Sequence, residues 1–273
     1  MTRLGMVIDL AKCNGCGACA FACKAENNTR DRDRAAGQSF NWADFLMHTD
    51  GVFPNTTHFV MPVLCNHCSE APCIKMCPGN PEKAGNPTKS PDGNPYKALF
   101  KTPEGITLHD PELCVGCGDC QKYCPYSHPK LDASSLEGGS YSVISLNAMD
   151  DDPQPRWSDK TSAIPGCTAS GAEVAALAGA LPPMMNQWKG GDLQPVRKDD
   201  VVEKCTFCYH RVLNGLQPAC VEVCPAQARI FGDQDDPDTP IAQLLKSQKS
   251  FRLQEDKGTK PNVHYIGKYS PRA

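Results

Sequence analysis

Residues 114–125 read Cys114-Val115-Gly116-Cys117-Gly118-Asp119-Cys120-Gln121-Lys122-Tyr123-Cys124-Pro125. Four cysteines fall within eleven residues, separated by two, two and three other residues, and a proline follows the last one. The spacing recurs near the N-terminus at Cys13, Cys16, Cys19 and Cys23, where Lys24 stands in place of the proline. The chain therefore contains an internal repeat of one cysteine motif.

Two variants of the motif complete the set. The second motif in chain order is Cys65-x2-Cys68-x4-Cys73-x3-Cys77, and the fourth is Cys205-x2-Cys208-x11-Cys220-x3-Cys224; each is followed by a proline. Together the four motifs account for sixteen of the seventeen cysteines. Cys167 lies outside all of them, and we interpret it as a structural or incidental thiol, with a ligand or redox role as the alternative.

The motif spacing suits a cubane iron–sulfur cluster. Such a cluster needs one thiolate on each of its four irons, and three closely spaced cysteines in a loop can supply three of them. In the bacterial pattern C-x2-C-x2-C-x3-C-P the fourth cysteine binds the neighbouring cluster. Glycines at 15, 17, 116 and 118 would let backbone amides approach the sulfurs. The sequence thus predicts four [4Fe-4S] clusters, with all sixteen motif cysteines as iron ligands.

Disulfides and zinc are the competing uses of so many cysteines. A disulfide framework rarely crowds four cysteines into eleven residues, and the first ten residues lack a signal-peptide core. Zinc sites use two ligand pairs separated by a long gap. The second and fourth motifs alone resemble that pattern, whereas the first and third do not.

The composition limits the remaining classes of function. Among 273 residues there are 24 prolines and 22 glycines, which argues against long helices and continuous strands. The net charge is −3 and no basic stripe stands out, so nucleic acid is not an expected partner. No apolar run reaches the roughly 18 residues of a membrane span. We therefore expect a soluble chain without a membrane span or an export signal of its own.

Basic residues beside the motifs are candidates for offsetting the negative charge of thiolate-bound clusters. The alternative is that they are solvated surface charges. His67, inside the second motif, could likewise tune a cluster by hydrogen bonding or could simply pack. The basic residues are Lys12, Lys24, Lys75, Lys122, Lys204 and Arg211.

Short β-like and helix-compatible runs surround the motifs. β-like runs at 6–10 and 106–108 precede the first and third motifs, and others at 142–146 and 228–231 follow the third and fourth. A helix-compatible stretch covers 18–26. This order predicts an α+β fold of two bacterial-ferredoxin-like modules, each binding two [4Fe-4S] clusters, with long loop insertions.

At these motifs the sequence resembles the four-cluster ferredoxin-like electron-transfer subunits of the dimethyl-sulfoxide-reductase family of molybdopterin oxidoreductases. Within that family it is most similar to the small subunits of arsenate, polysulfide and thiosulfate reductases. The resemblance rests on Leu4-Gly5-Met6-Val7-Ile8-Asp9, Leu64-Cys65-Asn66-His67-Cys68, Cys124-Pro125-Tyr126, Lys204-Cys205-Thr206-Phe207-Cys208, Pro218-Ala219-Cys220-Val221-Glu222-Val223-Cys224-Pro225 and Phe231-Gly232-Asp233.

The resemblance implies cross-pairing of the motifs, the first with the fourth and the second with the third. The last cysteine of each motif would bind the cluster of its partner motif. Residues 1–58 and 201–236 would form the first module and residues 59–146 the second. Residues 147–200 would be an insertion and residues 237–273 a C-terminal tail. We hypothesise that the inserted loops, 79–104 and 127–200, wrap a catalytic partner; the alternative is that they only cover cluster edges.

The resemblance also implies a partner, a catalytic subunit with a bis-pyranopterin guanine dinucleotide (bis-MGD) molybdenum or tungsten site. A membrane anchor or a cytochrome is a further candidate partner. This chain shows no catalytic residue set of its own, so it would relay electrons. The alternatives are the electron-transfer subunit of a hydrogenase or formate dehydrogenase, or a free polyferredoxin. Co-export with a partner that carries a leader would place the chain in the periplasm; the alternative is the cytoplasm.

Metal analysis tests the cluster prediction directly. We expect about sixteen iron and about sixteen sulfide per fully loaded chain, because four motifs each supply four ligands. Stoichiometric zinc, or half this iron in a chain purified without oxygen, would contradict it.

Overall fold

The computed structural model describes residues 2–27, 29, 38–39, 42–82, 96–127, 140–141, 143–146, 160–162, 164–178 and 200–268. The strands are β1 Leu4–Asp9, β2 Gln38–Ser39, β3 Ala43–Val52, β4 Asn55–Leu64, β5 Leu99–Lys101, β6 Thr107–His109, β7 Ser140–Tyr141, β8 Ile144–Leu146, β9 Val202–Lys204, β10 Arg229–Asp233, β11 Ser250–Phe251 and β12 Val263–Ile266. The α-helices are α1 Ala18–Asn27, α2 Pro72–Met76, α3 Asp119–Lys122, α4 Gly171–Ala178, α5 Tyr209–Val212, α6 Ala219–Glu222 and α7 Pro240–Ser247.

The strands predicted around the motifs are present as β1, β6, β8 and β10, and the predicted helix at 18–26 is α1. The described part of the chain is a mixture of short helices and small sheets, in keeping with an α+β class. None of its helices has the length and apolar character needed to span a membrane.

The largest sheet joins the two ends of the chain. Its strand order is β10-β1-β12-β11, with β1 antiparallel to β10 and parallel to β12. Met6, Val7 and Ile8 in β1 are fully buried. Because successive side chains of a strand point to opposite faces, burial of all three means that both faces of β1 are covered. The β1 strand therefore forms the middle of the sheet, and the first motif begins where it ends.

Residues 237–268 differ from the expected tail. They contain α7, β11 and β12, and β12 brings Tyr265 and Ile266 into the buried core. The Tyr265 hydroxyl donates to the carbonyl of Pro62 at 2.9 Å, and Asn262 Nδ2 donates to the carbonyl of His67 at 2.8 Å. This segment thus joins the main sheet to the chain around the second motif.

A long hairpin precedes the second motif and was not predicted. β3 and β4 pair in antiparallel register from Ala43 with Leu64 to Val52 with Asn55. Gly51 lies next to the turn at φ 87°, and a Cβ there would clash with the carbonyl oxygen of Asn55. β4 ends at Leu64, immediately before Cys65, so the hairpin positions the second motif.

The described part of the insertion at 79–104 is folded against the second motif. β5 pairs with β6, and Lys97, which is buried, donates from Nζ to the carbonyl of Ile74 at 3.0 Å. Residues 83–95 and most of 127–200 lie outside the described residues. The hypothesis that these loops wrap a partner stays a prediction.

Candidate iron–sulfur centres

The motif cysteines converge in four groups, which we number one to four after the motif that supplies three of the four thiols. Neighbouring thiols line a common cavity or raise one another's pKa. Each group joins the first three cysteines of one motif to the last cysteine of another. Group one contains Cys13, Cys16, Cys19 and Cys224; group two, Cys65, Cys68, Cys73 and Cys124; group three, Cys77, Cys114, Cys117 and Cys120; and group four, Cys23, Cys205, Cys208 and Cys220.

The short helices explain how one motif serves two groups. Cys19 and Cys23 lie on α1, one helical turn apart, and Cys220 lies on α6 with Cys224 just beyond its end. Residues four apart in a helix share a face but are displaced by about 6 Å along the axis. One helix can therefore present a sulfur to each of two adjoining groups. The same holds for α2 with Cys73 and Cys77 and for α3 with Cys120 and Cys124.

Glycines bring backbone amides to the sulfurs, as predicted. The backbone amide of Gly15 hydrogen-bonds to Cys13, and that of Gly116 to Cys114; each contact opposes the burial that raises the pKa of its thiol. Both glycines have positive φ, 72° and 68°. A Cβ at Gly116 would lie 2.5 Å from the carbonyl oxygen of Asp200. No other residue could occupy that turn without moving Asp200.

Burial disfavours the negatively charged thiolate form of these cysteines. Burial first, and then the neighbouring sulfurs of the same group, raise the pKa of Cys124 to about 12 and that of Cys208 to about 11. The pKa values of Cys23, Cys73 and Cys205 are raised well above the ordinary value for the same reasons, burial first. Four adjacent thiolates are therefore stable here only with a positively charged core among them.

The residues present fit a cubane. Group one and group two each surround a cavity that the four thiols of the group line. All seventeen cysteines are unpaired thiols. Within the described residues, no three His, Cys, Asp or Glu side chains are arranged to hold a single metal ion. A cubane instead takes each of its four thiolates on a different iron.

The groups adjoin one another in a single series. Cys19 of group one and Cys220 of group four are neighbours, as are Cys205 of group four and Cys65 of group two. Cys73 of group two in turn neighbours Cys120 of group three. The spatial order is therefore one, four, two, three.

The solvent exposure of the cysteines follows the spatial order of the groups. All cysteines of groups four and two, the inner groups, are buried. Cys16 of group one and Cys117 of group three are exposed. The cysteines in the middle of the series are thus buried, and one cysteine of the group at each end is exposed.

Comparison with known proteins identifies iron–sulfur families along the chain. The family of 4Fe-4S dicluster domains matches residues 56–138 and 193–234, and the family of 4Fe-4S binding domains matches residues 4–25. The arsenate respiratory reductase iron–sulfur subunit of Shewanella sp. (strain ANA-3) is 38% identical over 97% of this chain and 96% of its own length.

Two further relatives are similar over almost the whole chain. One selenate reductase subunit, from Mesobacillus selenatarsenatis, is 29% identical over 96% of this chain and 70% of its own. One tetrathionate reductase subunit, from Salmonella typhimurium, is 28% identical over 97% of this chain and 72% of its own length. The chain belongs to the iron–sulfur electron-transfer subunits of the dimethyl-sulfoxide-reductase family. These relatives do not favour a hydrogenase or formate dehydrogenase subunit.

Lys204 is the one buried residue among the six basic residues that the sequence predicted to offset cluster charge. It is 1% exposed, and its Nζ donates to the carbonyls of Thr107 at 2.5 Å and Cys205 at 2.6 Å. By contrast, Lys75 pairs with Glu70 at the surface, and Arg211 pairs with Glu26 and Glu222. Lys12 is exposed, and Lys122 lies over the ring of Tyr123.

Two cations beside the cysteine groups were not predicted. Lys101, in β5, donates to the carbonyls of His67 and Gly105, and burial lowers its pKa to about 8 against the opposing effect of nearby cysteines. Arg229, in β10, is 4% exposed and contacts the thiol of Cys220. Neither lies within a motif, so only their position in the folded chain reveals them.

His67 has a packing role in the structure. Its ring stacks on Phe207 with centroids 3.7 Å apart, and its Nδ1 accepts a hydrogen bond from the amide of Thr107 at 3.2 Å. Burial lowers its pKa well below the ordinary value, so the ring is neutral. No hydrogen bond among the described residues joins the His67 ring to a cysteine sulfur. Cys167 is exposed in a turn near Ile164 and stands outside the four groups.

Replacing Cys23 tests how motif and group are related. Because Cys23 lies on the first motif but in group four, we expect Cys23→Ser to damage the cluster of group four and to spare that of group one. Iron should fall by about four atoms of about sixteen. Electron paramagnetic resonance of the reduced protein identifies the affected signal.

Cys167→Ser is the matched control for Cys23→Ser, because it removes a thiol that lies outside every group. Its iron content and spectra should equal those of the unaltered protein. Loss of the group-one signal alone in Cys23→Ser would contradict the grouping.

Proposed function

We propose that the chain holds four [4Fe-4S] clusters, one in each cysteine group, and relays electrons to or from a bis-MGD molybdenum or tungsten catalytic subunit. The observation that carries this proposal is the continuous series of four groups, buried in the middle and exposed at Cys16 and Cys117. A free carrier with one docking site would need only one exposed end. Two exposed ends suit a subunit that stands between two partners.

The chain's own contribution is to position the clusters and to control their surroundings. The sixteen motif cysteines supply the thiolates, and the clusters when bound supply one-electron oxidation and reduction. The short helices hold adjoining groups side by side, and burial of groups four and two excludes water from the middle of the series. Buried Lys204 and Arg229, with half-buried Lys101, would offset negative charge there.

We further propose the two-module arrangement. Motifs one and four, with residues 1–58 and 201–236, would form one ferredoxin-like module; motifs two and three, within 59–146, would form the other. The grouping of the cysteines supports this division, because groups one and four contain cysteines of motifs one and four only. Residues 237–268 complete the sheet of the first module through β12.

The catalytic subunit would select the substrate. The relatives are named for arsenate, selenate and tetrathionate reductases, and this chain offers no catalytic residue set among its described residues. One exposed end of the series would face the catalytic subunit. The other would face a second redox partner, for which a membrane anchor or a cytochrome is the candidate.

Affinity purification of the tagged chain from its own host, without oxygen, separates the candidate functions. We expect a co-purifying large subunit with stoichiometric molybdenum or tungsten, because the proposal requires a pterin-bound metal at one end of the series. An untagged strain controls for non-specific capture. Recovery of the loaded chain alone would favour a free polyferredoxin, and nickel in the complex would favour a hydrogenase.

The location proposal is periplasmic, by co-export with the catalytic subunit. Clusters are assembled in a reducing compartment, so a loaded complex would have to cross the membrane folded. Cell fractionation with and without the partner's leader peptide tests this. We expect the chain in the periplasm only when the leader is present. A chain found in the cytoplasm in both strains, or exported without its partner, would overturn the co-export proposal.

A further inference from the structure

Arg229 reaches two cysteine groups at once. Its side chain lines the cavity of group one, together with Cys13 and Cys19. Its Nη1 lies 3.8 Å from the sulfur of Cys220 in group four and 3.6 Å from the sulfur of Met6. A side-chain hydrogen bond to Cys19 completes its contacts with the groups. The guanidinium therefore lies at the junction of groups one and four.

The charge of Arg229 meets no carboxylate counter-ion among the described residues. The side chain is 4% exposed, and within that part of the chain its Nη2 is buried without a hydrogen-bond partner. A buried, unpaired guanidinium is strongly unfavourable unless negative charge lies beside it. Thiolate-bound clusters in groups one and four would supply that charge.

Arginine suits this junction better than lysine. The guanidinium stays charged, is weakly hydrated and carries five donors in a planar fork, so it can contact two partners at once. Group two shows the contrast. Tyr126, Val143 and Ile144 line its cavity, and no basic residue of the described chain does. The cation at the junction of groups one and four is therefore a local feature of that junction, not a general property of the cavities.

We propose that Arg229 sets the reduction potentials of the clusters in groups one and four, and so controls electron transfer between them. The proposal rests on the proposed function, since it requires clusters in both groups. A fixed positive charge stabilises the more negative, reduced form of a nearby cluster and raises its potential. Arg229 is thus a positioning residue for the relay: it acts on the clusters electrostatically and binds no iron.

Redox titration of the intact complex, followed by electron paramagnetic resonance, tests the proposal. In Arg229→Met we expect the ratio of reduced to oxidised cluster at a fixed potential to fall about tenfold for groups one and four, which corresponds to about 59 mV for one electron. Groups two and three should titrate as before. Arg229→Lys, which keeps a basic group but lacks the planar fork of donors, should shift less than Arg229→Met.

Arg252→Met is the matched control for loss of one positive charge. Arg252 pairs with Glu255 and does not line the cavity of group one or of group two. The control should shift none of the four signals. If Arg229→Met keeps its full iron content and every signal titrates as in the unaltered protein, the proposal is overturned. An equal shift in Arg229→Lys and Arg229→Met would also overturn it, because the charge would not be the cause.

A second measurement makes its decisive observation on the unaltered complex, whose cluster loading no substitution has changed. In the unaltered complex labelled with ¹⁵N-arginine, pulsed resonance should show a ¹⁵N coupling on the reduced clusters of groups one and four. Labelled Arg229→Lys should lose it. Absence of any ¹⁵N coupling in the unaltered complex overturns the inference. If the complex instead lacks four clusters by iron content and signal count, the proposed function itself fails.

Discussion

Groups of four converging thiols are the feature on which the rest of this structure depends. Neighbouring thiols raise one another's pKa, so the groups do not stabilise the protein by themselves. Most of the helices that carry them are very short: α3 and α6 have four residues each and α2 has five. Isolated helices shorter than about 12 residues are marginal in water. Ligation of a cluster would therefore hold these helices in place, so that cluster binding and folding are coupled.

The centre of the molecule is where the two pairs of motifs are joined. His67 of the second motif stacks on Phe207 of the fourth, and Lys204 links the carbonyl of Cys205 to that of Thr107 in β6. Asn262, from the C-terminal segment, donates to the carbonyl of His67. These contacts come from four separate parts of the chain. Together they fix Cys65 beside Cys205 and make the series of groups continuous.

The sequence predicted the local features of this fold well, because they depend on spacing. The motif cysteines, the positive-φ glycines and the strands around the motifs all follow from short-range patterns. The convergence of Cys23 with Cys205 did not, since a spacing of three residues does not say which other motif lies opposite. The pairing was instead implied by family resemblance. β12 was missed because its central place in the sheet depends on pairing with β1, more than 250 residues earlier.

The buried cations show how the chain treats inner and outer groups differently. At Cys16 and Cys117 water can solvate the negative charge of a cluster, whereas the cysteines of groups four and two are all buried. The protein must therefore supply positive charge in the interior. It does so from β5, β9 and β10, through half-buried Lys101 and buried Lys204 and Arg229. Lysines within the motifs, such as Lys75 and Lys122, lie at the surface, where solvent screens their charge. Proximity to a cysteine in sequence is thus a poor guide to which cations act on a cluster, and burial in the folded chain is the better one.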